Sequence, residues 1–256
     1  MILRRVIAHV RKQEWTAIWI DLVIVVVGVF IGLQVSNWNE DRATARRGQV
    51  FTERLRSDLR EESRLYEALI AYYGDVAANK RRTLDALTGR EALSDEPLLI
   101  AAYRATQYRA TVRLRSTFDE LVSRGELGLV KDPALRDLAR LVYSNPFIDY
   151  IVEGGRASEY RHWFRLNMPH DVQQALVERC GDRSDPSRRL TRLDYPCTTG
   201  LSESTIAAAV SLLRNDPEAI RELRLRSADL ETQLNDLVTS SDAMRRDLRV
   251  LTEATL

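Results

Sequence analysis

The most definite chemistry in this 256-residue chain belongs to its two cysteines, Cys180 and Cys197. Cys180 borders, and Cys197 lies within, a stretch rich in Gly, Pro, Ser and Arg that runs from Gly181 to Gly200. In a reducing cytosol they are unrelated thiols, and two buried free thiols are the competing reading. In an oxidising compartment, two cysteines in one irregular loop form a disulfide. Closing a loop of this length contributes about 3 kcal/mol in the chain-entropy model. A redox-active pair would show Cys-x-x-Cys spacing, which is missing. A structural disulfide between Cys180 and Cys197 is therefore expected.

No other set of residues presents a comparable constellation. His9 stands in the N-terminal tail, and His162 and His170 are separated by Met168-Pro169, which breaks any shared helix face. No metal site is expected from them. Arg161, His162, Trp163, Phe164 and Arg165 form a candidate aromatic-basic ligand wall. The competing reading is a helix that packs Trp163 and Phe164 inward and turns its arginines to water. Glu61-Glu62 and Asp119-Glu120 are adjacent acids, pointing about 100° apart on a helix. Neither pair converges on one point, and both read as solvated faces. Phosphate-loop, nucleophile-elbow, zinc-protease and dinucleotide fingerprints are all missing from the sequence. The chain is expected not to be an enzyme and to carry no cofactor. Its net charge of +1 gives no general attraction to nucleic acid. Basic residues are nearly all Arg, with Lys only at 12, 80 and 131. Acids interleave with them, which fits genomic composition better than an anion site.

The elements that must position these residues begin with an apolar run. Ala17 to Val35 is broken only by Asp21 and Gln34. As a helix it covers roughly 28 Å, close to a hydrocarbon core of about 30 Å. Trp15 and Trp19 at one end and Trp38 at the other suit the headgroup interface. Arg4, Arg5, Arg11 and Lys12 precede the run, while Glu40 and Asp41 follow it. The positive-inside rule then puts the N-terminus in the cytoplasm and the bulk of the chain in the periplasm of a bacterial cell. The expected division is a basic tail over 1–14, a transmembrane helix over 15–38 and a periplasmic helical domain over 39–256. That domain carries the cysteine-containing loop at 180–200. Ile2, Leu3, Val6, Ile7 and Val10 recur at helical spacing, which suits either a short helix on the membrane surface or a frayed basic tail. A cleaved signal peptide is the rival to the anchor, with Ala43-Thr44-Ala45 as its best cleavage site. Within the run, Asp21, Val25, Gly28, Gly32 and Val35 fall on one helix face. Gly28 and Gly32 form a small-xxx-small pair that lets two helix backbones approach. A carboxylate at that depth calls for a partner.

Two stretches also resemble a known family. One is the span running into Leu33-Gln34-Val35-Ser36-Asn37-Trp38-Asn39-Glu40. The other is Ser116-Thr117-Phe118-Asp119-Glu120-Leu121, with Ser123 to Val130 and Leu135-Arg136. Together, and with Asp21 near the start of the span, they resemble an uncharacterised family of single-span bacterial membrane proteins, a domain of unknown function. The resemblance covers about a quarter of the chain. It implies topology and carries no activity.

Beyond the span the periodicity is helical throughout, with no competing run of period-two alternation, and the fold class is all-α. Leu55, Leu59, Glu62, Tyr66, Leu69, Tyr73, Val76, Lys80, Leu84 and Leu87 follow a 3-4 spacing along one long helix, continuous with the span, that Thr88-Gly89 stops. Ser94 or Asp95 with Pro97 opens a helix through about Tyr108. Ser116-x-x-Asp119 suggests a capping box, with Gly125 closing a short helix. Asp132-Pro133 opens another, which Asn145-Pro146 interrupts. A further helix runs to about Asn167, with Gly154-Gly155 as its weak point. Asp216-Pro217 opens the last. There Leu223, Leu230, Leu237, Met244 and Leu251 fall seven apart, with Ile220, Ser227, Leu234, Ser241 and Leu248 three residues before each. This heptad seam needs a partner, either the long first helix or a second copy.

These features point to a membrane-anchored helical scaffold or accessory subunit of a cell-envelope complex. Its expected partners are the lipid bilayer and, through the span, a second copy or another inner-membrane protein, with no nucleic acid. The alternative is a periplasmic ligand-sensing bundle that signals through a partner. An envelope hydrolase with an unfamiliar site is a third reading.

Overall fold

A computed structural model describes residues 15–183, 193 and 195–253, and among them the chain is helical with no strand. The tail over 1–14, including His9 and the apolar spacing from Ile2 to Val10, lies outside the described residues. So do the Trp15 and Leu251 side chains.

The first helix, α1, runs unbroken from Trp15 to Leu87, a length of 73 residues. Its apolar first third is long and apolar enough to cross a membrane, and none of that window is buried by the other described residues. Packing begins at Gly48, where an added Cβ would lie 2.7 Å from the carbonyl oxygen of Leu129. From there on, the face with 3-4 spacing is interior. Leu55, Leu59, Glu62, Tyr66, Leu69, Tyr73, Val76 and Lys80 are all buried. Gly89 stops the helix with a backbone φ of 74°, a conformation glycine adopts without strain.

The last helix, α9 (Pro217–Glu253), lies against α1 over most of its length. It runs antiparallel, since Lys80 meets Ser227 and Glu231 while Glu67 meets Arg245. Leu223, Leu230, Leu237 and Met244 are buried. The heptad seam is thus covered within the chain, with α1 as its main partner. Asp216 caps α9 by accepting from the Glu218 amide at 2.8 Å.

Between them sit α2 (Asp95–Arg104), α3 (Ser116–Ser123), a 3₁₀ turn (Leu127–Leu129), α4 (Pro133–Ser144), α5 (Phe147–Arg156), α6 (Glu159–Asn167), α7 (His170–Cys180) and α8 (Glu203–Asn215). They form two apolar clusters along the α1–α9 axis. The one nearer the apolar arm joins α1 with α3, α4, α5 and the C-terminal part of α9. The far one surrounds α2 with α6, α7, α8 and the start of α9. From Leu98 to Arg104 every residue of α2 is buried.

Several local expectations are corrected. The α2 helix ends at Arg104 rather than Tyr108, because the Thr106 hydroxyl donates to the Tyr103 carbonyl and turns the chain. No capping box forms at Ser116: Arg115 is the capping residue, and Asp119 accepts from the Arg115 guanidinium instead. The break before α6 falls at Ala157-Ser158, with Ser158 accepting from the Arg161 amide. Gly154 and Gly155 stay helical and permit close packing, since a Cβ on Gly155 would lie 2.4 Å from the Tyr108 Cβ. Gln107 to Arg115 is non-helical, and from Arg109 to Leu114 partly covered residues alternate with exposed ones. This is a period-two run in an otherwise helical chain.

Candidate functional site

The five span residues remain on one face of α1. At about 100° per residue, Asp21, Val25, Gly28, Gly32 and Val35 fall within about 80° of arc. Asp21 is partly covered, whereas Val25 and Val35 are exposed. A Cβ added to Gly28 or Gly32 would meet nothing within 4 Å. Trp19 and Trp38 are exposed, and the Arg42 guanidinium lies 5.3 Å from the Trp38 ring centre. The stripe is thus unoccupied by any other part of the chain described.

Cys180 and Cys197 are joined in a disulfide, with their Cα atoms 5.5 Å apart. Cys180 is the last residue of α7 rather than a loop residue, so the bridge ties a helix end to the segment leading into α8. Arg104 organises both sides. Its Nη2 donates to the Tyr195 carbonyl at 2.8 Å, and its guanidinium stacks 4.7 Å from the Tyr195 ring centre. The Tyr195 hydroxyl donates to the Gly181 carbonyl, and Glu96 accepts from both the amide and the hydroxyl of Thr199. Next to the bridge, the Tyr72 hydroxyl donates to both carboxylate oxygens of Asp182, at 2.9 and 3.1 Å. Burial pushes the Asp182 carboxyl above its usual range, against the opposing pull of that hydrogen bond and of Arg109 and Arg161.

The aromatic-basic wall divides as a packing helix does. Trp163 and Phe164 are buried, with Trp163 stacked on Tyr160 and its indole N–H donating to Asp216 at 2.7 Å. Arg161 reaches back to the Thr106 carbonyl and lies over the Tyr108 ring. His162 and Arg165 are exposed and border a shallow groove of about 220 Å³. The cluster therefore does not converge on one enclosed point. Among the described residues no group of three His, Cys, Asp or Glu is placed to hold a metal ion.

Glu61-Glu62 requires the clearest correction. Glu61 is exposed, but Glu62 is fully buried. Arg113 donates through Nε to Glu62 Oε1 at 2.6 Å, through Nη1 to the Asn145 carbonyl at 3.0 Å and through Nη2 to the Val142 carbonyl at 2.7 Å. One guanidinium thus ties α1 to the end of α4. Burial in the same region pushes the Tyr66 hydroxyl up to about 12. Lys80 is likewise interior, donating to the Ser227 carbonyl at 2.9 Å and to Glu231 at 3.3 Å, and burial lowers its pKa.

Two features escaped the sequence reading. Arg226 is 3% exposed, and none of its three guanidinium nitrogens has a hydrogen-bond partner among the described residues. The other is a groove of about 850 Å³ between α1 and the segment before α3, bordered by Leu65 and Ala68 on one side and by Arg109, Ala110, Thr111, Val112 and Leu114 on the other. The alternation Arg109-Ala110-Thr111-Val112-Arg113-Leu114-Arg115 was its signal in the sequence. Comparison with protein-family models, with curated proteins and with solved structures finds no match to this chain.

Proposed function

We propose that this chain is a membrane-anchored helical scaffold, an accessory subunit that holds a partner at the bacterial inner membrane. The observation that carries this reading is the state of α1. Its apolar arm is uncovered by the other described residues, yet it continues without a break into the packed bundle. Exposed apolar surface on that scale requires lipid or another helix. The basic residues before the span and the acidic ones after it support a cytoplasmic N-terminus and a periplasmic bundle, and the disulfide fits that compartment. The resemblance of the span and its exit to the single-span family supports the same topology. Within the membrane, the stripe of Asp21, Gly28 and Gly32 joins a second copy or a partner's helix bearing a donor for Asp21.

The test is a pair of double variants in native membranes. Gly28→Ile with Gly32→Ile should abolish cross-linking of the complex, whereas Val26→Ile with Phe30→Ile, off the stripe, should not. Equal association of both pairs would remove the stripe as an interface. A mature N-terminus beginning near Arg46 would remove the anchor itself.

A second reading, a ligand-sensing bundle, rests on Arg226. A buried guanidinium with no hydrogen-bond partner among the described residues is costly and suits an anion that enters between helices. Arg226→Met should raise the thermal stability of the ligand-free protein if Arg226 is kept for such a ligand. A destabilised variant argues for a purely structural role.

A further inference from the structure

The segment from Arg109 to Arg115 is held straight by its ends. The Arg109 amide donates to the Tyr73 hydroxyl, and Arg113 grips Glu62. Tyr73 and Glu62 are about 16 Å apart along α1 at 1.5 Å per residue. Four residues of chain cover about 13 Å when extended, and the Tyr73, Glu62 and Arg113 side chains supply the rest. The segment therefore runs antiparallel to α1 as a single extended strand. Ala110, Val112 and Leu114 face outward, with Val112 86% exposed. Among the described residues, the amides and carbonyls of Ala110, Thr111 and Val112 have no hydrogen-bond partner in the chain. The groups of Ala110 and Val112 point to one edge and those of Thr111 to the other, so a helical protein presents an unpaired strand edge beside a groove of about 850 Å³.

We propose that this edge accepts an extended acidic segment of another protein, which adds as a strand in the groove against α1. Only a second backbone matches an alternating row of donors and acceptors, so the row selects a peptide over a lipid or a compact metabolite. A second copy of this chain fits poorly. Symmetric antiparallel pairing centred on Thr111, Val112 or Arg113 sets arginine opposite arginine, which is destabilising. The charge of the occupant follows from the lining. Glu61 is paired with Arg64, and Glu67 with Arg245. The Arg109 guanidinium makes no hydrogen bond or ion pair among the described residues, and its charge also acts on the nearby Asp182 carboxyl. It calls for a carboxylate on the incoming strand, while Leu65 and Ala68 call for apolar residues at alternate positions.

The inference rests on the reading of the chain as an interaction protein and adds the kind of partner. It is tested with the full chain in detergent micelles. Random heptapeptides displayed on phage are selected on the protein, and the selected sequences are synthesised and titrated by fluorescence anisotropy. They should alternate apolar residues with at least one acid. Val112→Pro, which removes a backbone donor, should weaken them about tenfold, and Val112→Thr should not. Arg109→Gln should erase the preference for a Glu-containing peptide over its Gln counterpart. The proposal is overturned if selection returns no peptide, or if Val112→Pro binds as tightly as the unsubstituted chain. A dimer that Val112→Pro dissolves also overturns it, by assigning the edge to a second copy. Cross-linking through the span is read separately from peptide binding, so failure here leaves the membrane interface standing.

Discussion

The buried pair of Glu62 and Arg113 gives the sharpest test of how the bundle is held. Both side chains are nearly inaccessible, at 0% and 8% exposure, and Arg113 also satisfies the carbonyls of Asn145 and Val142. Arg113→Met leaves a carboxylate buried alone, which typically costs about 3–5 kcal/mol. Two carbonyls lose their donor as well, so the upper half of that range is expected. Glu62→Gln keeps an acceptor for Arg113 but removes the compensating charge, at about 1.5–3 kcal/mol. The two losses summed as independent would reach about 6–8 kcal/mol, a large part of a domain's stability. The double variant leaves no isolated charge, and the side-chain amide introduced at position 62 can donate to one of the carbonyls. It is expected to cost no more than Arg113→Met alone. Urea titration of the full chain in a mild detergent, followed by circular dichroism, reads this directly. With a slope of about 2 kcal/mol per molar, Arg113→Met lowers the midpoint by about 2 M. Single losses that add within about 0.5 kcal/mol in the double variant would refute the argument, because the two groups would then not act as a charge pair.

Replacing both Cys180 and Cys197 with Ser should lower stability by about 3 kcal/mol, the entropy of the loop they close, and reductant should match that loss in the unsubstituted chain. Equal thiol labelling of the denatured chain with and without reductant would remove the bridge. The raised pKa of Asp182 means the folded chain holds a proton that the unfolded chain has released. Its contribution therefore falls as pH rises from the ordinary carboxylate value through the folded one, and Asp182→Asn should flatten that part of the stability profile. At Gly74 a Cβ meets nothing within 4 Å, so Gly74→Ala should stabilise the helix by up to about 1 kcal/mol. Gly48→Ala, aimed at the Leu129 carbonyl 2.7 Å away, should instead destabilise by about 1–3 kcal/mol, both read by thermal melts.

Much of this architecture is legible because it rests on long-range periodicity. The 3-4 spacing from Leu55 to Lys80 marks the buried face of α1 even where the residues are Glu62 and Lys80. The same spacing places Glu62 on that buried face, whereas its pairing with the adjacent Glu61 favours a solvated reading. Cap chemistry is legible where one side chain decides it, as at Asp132, which accepts from the Ala134 and Leu135 amides. It fails at Ser116, where a neighbouring guanidinium, that of Arg115, takes the acid that the box requires. The helices α7 and α8 escaped notice, although at 11 and 13 residues they are longer than α2 and α3. Yet Val172, Leu176 and Cys180 fall four apart on one, and Ile206, Ala209, Val210 and Leu213 follow Ser202 on the other. The extended segment was missed for a different reason. Its alternation spans only a few residues, and what straightens it is the distance between Tyr73 and Glu62, which local pattern does not contain.

The continuity of α1 has a geometric consequence. From Asn39 to Arg47 it is a largely uncovered helical stalk, about 13 Å long, between the apolar arm and the first packed residue at Gly48. A stiff helix fixes two quantities together, the standoff of the bundle from the apolar arm and its compass bearing about the arm's axis. Each residue of stalk adds about 1.5 Å of height and about 100° of azimuth. One added residue would therefore swing the strand edge to another side of the molecule while barely raising it. Seven would return it to within about 20° of its bearing, about 10 Å higher. The stalk is thus a phase-setting element: its residue count, more than its composition, determines the direction about the apolar arm in which the bundle presents its extended segment.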